Sequence, residues 1–65
     1  MYITLNGKDV EVQSQTLEEL VRELGFAPES LVVEKNRELV KKERWPETAV
    51  RQNDIFELLN FVGGG

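Results

Sequence analysis

The chain contains no cysteine and no histidine. Without cysteine there is no disulfide framework, no zinc knuckle and no dithiol redox pair. Without histidine, the usual general base at neutral pH and the commonest metal ligand are both missing. No apolar run approaches the roughly 18 residues that span a bilayer. The opening Met1-Tyr2-Ile3-Thr4 lacks the basic region and long apolar stretch of a signal peptide. A cytoplasmic protein without a membrane partner is the expectation. Positive charge is also scarce, with 8 basic against 12 acidic residues and a formal charge of −4. Phosphate backbones and anionic lipids attract Lys and Arg, so this balance argues against nucleic acid and membrane surfaces as main partners. Lys41, Lys42 and Arg44 do cluster, but Glu43 interrupts them and Glu38 and Glu47 flank them, as in a solvated turn.

What is present fits one small domain. A chain of 65 residues is too short for a second core, and a domain of about this size buries only about 60% of the surface its unfolded chain exposes. It leaves no room for a deep cleft, so any chemistry is completed by a partner. No carboxylate pair placed for acid–base work, glycine-rich phosphate loop or nucleophilic triad is visible. Glu18 and Glu19, for example, are adjacent on a helical pattern and point in different directions. The chain is therefore read as a protein co-substrate rather than an enzyme.

The order of elements follows from periodicity. Tyr2 to Leu5 alternates with Ile3 and Leu5 on one face, Asn6-Gly7 signals a tight hairpin, and Val10 and Val12 share a side of the return segment. Thr16 and Glu19 fit a helix-capping box, and Leu17, Leu20, Val21 and Leu24 form one apolar stripe ended by Gly25. Phe26 to Ser30 reads as a loop, Leu31 to Lys35 as a strand, Asn36-Arg37 as a turn and Glu38 to Val40 as a short return strand. Lys41 to Trp45 is expected to form one helical turn ended by Pro46, with Trp45 plugging the core. After a turn at Gln52-Asn53-Asp54, Ile55 to Val62 is the last and most apolar strand. The order β-β-α-β-β-β predicts an α+β fold of the β-grasp, ubiquitin-like kind. Its mixed sheet has four to five strands with one main helix across it, and its first and last strands lie side by side and parallel at the centre. Residues 1–62 make the domain and residues 63–65 a tail.

The informative feature is that tail. Gly63-Gly64-Gly65 follows an apolar strand with no polar spacer. Glycine has no side chain to pack and the largest entropy cost on ordering, so such a run does not serve a core. It does suit a narrow channel in a partner, since nothing projects from its backbone. Extended, three residues reach about 10 Å. The terminal carboxylate is ionised at neutral pH and can attack an activated phosphate. Adenylation followed by attack of a sulfur nucleophile would leave a thiocarboxylate. In a thiol-free chain the terminus is the one place to hold transferable sulfur, and no internal thiol competes for the activated acyl group. On the last strand, Phe56 and Leu58 facing the core would place Ile55, Leu59 and Phe61 outward, as a partner-docking patch beside the tail.

Several segments also resemble the ThiS-type sulfur carriers of thiamine biosynthesis: Ile3-Thr4-Leu5-Asn6-Gly7-Lys8, Thr16-Leu17-Glu18-Glu19-Leu20, Val33-Glu34-Lys35-Asn36, Glu43-Arg44-Trp45, and Asp54-Ile55 through Phe61-Val62-Gly63-Gly64-Gly65. The resemblance covers the whole chain. It implies a β-grasp fold and adenylation of Gly65 by a ThiF-type, E1-like enzyme that uses ATP and magnesium. It further implies thiocarboxylate formation with sulfur from a donor protein, and delivery to a thiazole synthase. The family's terminal Gly-Gly maps onto Gly64 and Gly65, with Gly63 additional. Two readings share the tail chemistry, a modifier joined to lysines through Gly65 and a molybdopterin-type carrier. A third, from another class, is a non-covalent interaction module.

Overall fold

A computed structural model describes residues 1–60. The first strand, β1 (Tyr2–Leu5), turns at Asn6 and Gly7 into β2 (Lys8–Glu11). Both turn residues have positive φ, 50° and 84°, the combination that lets a two-residue turn match the twist of its strands. The helix α1 spans Leu17–Leu24, β3 Leu31–Lys35, β4 Glu38–Val40 and β5 Ile55–Asn60. Sheet order is β2-β1-β5-β3-β4. β5 is the middle strand, parallel to β1 and antiparallel to β3. This is the β-grasp arrangement expected from the order of elements.

The helix ends as its sequence requires, with one departure. Thr16 Oγ1 accepts from Glu19 N–H at 3.2 Å, but the Glu19 carboxylate takes the N–H of Gln15 at 2.9 Å rather than that of Thr16. At the other end Gly25 adopts φ 79°, the left-handed conformation that favours glycine, and its N–H donates back to Arg22 O at 3.1 Å. Leu17, Leu20 and Val21 are buried against Ile3, Val33 and Phe56 in one core cluster, with Leu24 partly buried at its margin.

Two segments differ from the sequence expectation. Pro28–Ser30 forms a 3₁₀ turn inside the anticipated loop. Lys42–Glu47 is also 3₁₀, and Pro46 lies within it rather than ending it. Arg44 N–H donates to Lys41 O and Thr48 N–H to Trp45 O, so the segment is a succession of short turns that a proline with fixed φ can enter. Trp45 is 3% exposed and donates its indole N–H to Val40 O, which makes it the expected core plug. Lys41, Lys42 and Arg44 are exposed, as a solvated turn requires.

A carboxylate ties the helix to the segment before it. The Ser14 hydroxyl and the N–H groups of Gln13 and Ser14 all donate to Glu23, in the last turn of α1. Mainly the Ser14 hydroxyl, helped by the two N–H groups and opposed by burial, holds the Glu23 carboxyl below its ordinary value. A lowered folded-state pKa contributes stability above the unfolded value of about 4.3, and that contribution disappears as pH falls through the folded value. Glu23→Gln is therefore expected to lower the melting temperature at pH 7 and to flatten its fall in acid. The loss should stay below about 1 kcal/mol, because water screens this exposed group. Thermal melts of both proteins from pH 7 to pH 3 check this; parallel curves would remove Glu23 from the account of acid sensitivity.

Candidate functional site

The last strand sorts its side chains by alternation. Phe56 is fully buried and Leu58 is 5% exposed, while Ile55 is 48% and Leu59 65% exposed. The expected split of β5 into a core face and an outer face is therefore present. Phe61, the third member of the anticipated docking patch, lies outside the described residues. So do Gly63, Gly64 and Gly65 and the anticipated boundary between domain and tail.

The helix and the 3₁₀ segments lie on one side of the sheet; among the described residues, no element covers the other. On that open side the cross-strand register brings Leu59 opposite Val32, Glu57 opposite Glu34, and Glu34 opposite Leu39. Towards β1, Ile55 lies opposite Thr4. The exposed large apolar residues of the described chain are Tyr2, Leu39, Ile55 and Leu59, and all four belong to this face. It carries a shallow open depression lined by Asn6, Gly7, Val32, Glu34, Glu57 and Leu59.

The strand leading to the tail is held from β1 by a side chain. Asn6 Oδ1 accepts from Leu58 N–H at 2.8 Å, and Asn6 Nδ2 donates to Leu58 O at 3.1 Å. The amide thus acts as one further rung where β1 has turned away. At the start of β5, Asn36 Oδ1 accepts from Ile55 N–H at 2.9 Å. The Lys35 ammonium donates to Ala49 O at 2.7 Å and lies 3.6 Å from Asp54, on the side away from the open face. β5 is thereby held by side chains near both of its ends.

Sequence reasoning found Ile55 and Leu59 but missed Val32, Leu39 and Tyr2. Alternation within Glu38-Leu39-Val40 carried a usable signal, since Val40 packs on the core and Leu39 must then point outward. The Asn6 clamp had no local signature, because its partner is 52 positions away. Among the described residues, no group of three or more acidic, histidine or cysteine side chains could hold a metal ion. No helix of the described residues is long and apolar enough to cross a membrane.

Known proteins match this arrangement over nearly the whole chain. The ThiS carrier of Bacillus subtilis (strain 168), described as "Sulfur carrier protein ThiS", is 35% identical over 65 residues, which cover 97% of this chain and 98% of that protein. A thiazole synthase of Magnetococcus marinus is 38% identical over 66 residues; the match takes in all of this chain but only 20% of the synthase. The crystal structure of the thiamine biosynthesis protein ThiS from Geobacter metallireducens superposes with a TM-score of 0.86 at 36% identity, covering both chains completely. The ThiS family pattern itself matches residues 2–65, including the glycine tail. A β-grasp domain with these relatives and this match from end to end belongs to the ThiS family.

Proposed function

We propose that this chain is a sulfur carrier for thiamine biosynthesis and that Gly65 is the residue that carries the sulfur. The observation that carries the reading is the family match over residues 2–65, which takes in Gly63, Gly64 and Gly65. The thiol-free composition supports it, because no side chain of this protein can hold a persulfide.

The chemistry needs little from the carrier beyond a presented carboxylate. An oxygen of the Gly65 carboxylate attacks the α-phosphorus of ATP; the new O–P bond forms as pyrophosphate leaves. The mixed anhydride has AMP as a good leaving group. Hydrosulfide attacks the carbonyl carbon and the bond to AMP breaks, leaving a thiocarboxylate; a donor protein's persulfide in its place gives an acyl disulfide, which a second thiol cleaves to the thiocarboxylate and a protein disulfide. ATP and magnesium belong to the activating enzyme, of the ThiF type. A donor protein supplies the sulfur and a thiazole synthase receives it. Relatives in which a ThiS-like segment occurs within a thiazole synthase support that last partner. The carrier's own contribution is positional. β5 precedes the tail in the chain, and Ile55, Leu59 and Phe61 are assigned to the apolar grip offered to the partner.

With the ThiF-type enzyme of the same organism, this chain should support saturable ATP–pyrophosphate exchange. An enzyme that exchanges with a known carrier but stays silent with this one would refute the assignment.

A further inference from the structure

We propose that the open face recognises a cationic side chain of the activating enzyme, an arginine or lysine set in apolar surface, through Glu34 and Glu57. The inference rests on the sulfur-carrier reading for the identity of the partner, but on different residues and a different measurement.

Glu34 and Glu57 are directly opposite each other on antiparallel β3 and β5. Like charges in that relation destabilise a sheet. The described residues contain two ion pairs, Lys35–Asp54 and Arg44–Glu47, and neither includes Glu34 or Glu57. The nearest cation in sequence, Lys35, is drawn to Ala49 O and Asp54 on the other side of the strand. The domain therefore sets two acidic residues opposite each other on its open face with no ion pair to either among the described residues.

The surroundings of the pair define what would relieve it. Leu39 flanks Glu34 on one side, and the Leu59–Val32 pair lies one step along β5 and β3. A cation reaching the two carboxylates would thus be partly shielded from water by apolar contacts, where charge pairing is stronger. A guanidinium fits best, because its planar fork can serve two carboxylates while its flat face rests on aliphatic side chains. A second copy of this chain does not fit, since self-association would gather four carboxylates on a protein already at −4. Anionic lipid and nucleic acid are repelled for the same reason. The face is continuous with β5, which ends at Asn60, five residues before Gly65. A partner gripping it is positioned to receive the terminus.

The test compares wild type with Glu34→Gln/Glu57→Gln. Three quantities are read: the melting temperature, the Kd for the ThiF-type enzyme by calorimetry, and the KM and kcat for the carrier in ATP–pyrophosphate exchange. Binding is measured at low salt and at about 0.5 M. The double variant should melt at the same temperature or higher, because a repulsion has been removed. Its Kd and KM at low salt should rise about tenfold, with kcat within about twofold and a flatter salt dependence. Better folding with poorer binding is the signature of a surface kept for a partner. Glu34→Lys/Glu57→Lys should bind more weakly still. An unchanged Kd with parallel salt curves, a lower melting temperature in the Gln variant, or no binding by wild type would overturn the proposal. So would wild-type self-association that the double variant abolishes. Wild type that binds with the expected salt dependence but supports no exchange would overturn the sulfur-carrier reading alone.

Discussion

Removing Gly64 and Gly65 is expected to reduce ATP–pyrophosphate exchange to the background of the enzyme alone while leaving the fold as stable as before. The core of the described residues closes among side chains from Ile3 to Leu58, and glycine has no side chain to add to it. The melting temperature should therefore stay within about 2 °C of the parent, as for changes away from packed positions. Activity should not survive. The shortened chain still ends in a carboxylate, but one that falls about 7 Å short of its former reach. Misplacement of a reacting group by about 1 Å can already cost about a hundredfold. The truncated protein should still bind the enzyme through its open face, and in excess it should inhibit exchange by the intact carrier. Undiminished exchange by the truncated chain would mean that the terminus is not the reactive group.

The second large effect lies in the core. Phe56 is fully buried at the centre of the sheet, paired with Leu5 on β1 and Lys35 on β3, and its carbonyl accepts from Asn6 N–H at 3.0 Å. Phe56→Ala leaves a cavity where both neighbouring strands are already tied, so the site cannot collapse freely. The expected cost is about 3–5 kcal/mol. Domains of ordinary size are stable by about 5–15 kcal/mol, and one this small lies near the lower end. The variant should lose on the order of 20 °C in melting temperature. Leu59→Ala, three positions along the same strand but 65% exposed, should cost less than about 0.5 kcal/mol. Denaturant melts of the two variants decide whether the faces of β5 are assigned correctly. Equal losses, or the reverse order, would require the strand to be turned over.

This assignment was legible because it depends on alternation alone. Ile55 to Leu59 fits a period of two, and one helix can cover only one side of a sheet, so the outward residues follow once Phe56 is placed inside. The Asn6-Gly7 turn, the Thr16 cap and the Gly25 terminus were equally readable, since each is a local solution to a local backbone problem. What is not legible locally depends on contacts distant in sequence. Asn6 looks like a turn residue and is one, yet its side chain also pairs with Leu58. Glu34 and Glu57 look like two ordinary surface acids until the register of β3 and β5 sets them face to face. Pro46 reads as the end of a helical turn because proline ends α-helices; in a short 3₁₀ segment it need not. The chemical site was legible for another reason. The proposal for Gly65 rests on composition and not on coordinates, since in a thiol-free chain three glycines present the terminal carboxylate with no side chain beside it.

The most direct test of the central claim is the mass of the C-terminal peptide. The protein is incubated with the ThiF-type enzyme, ATP, magnesium and a sulfur source, then digested and analysed alongside a known carrier. Replacement of one carboxylate oxygen by sulfur should add about 16 Da to the peptide ending in Gly65 and to no other. The species should be absent when ATP is omitted. An unshifted C-terminal peptide, under conditions that convert the known carrier, would contradict the account.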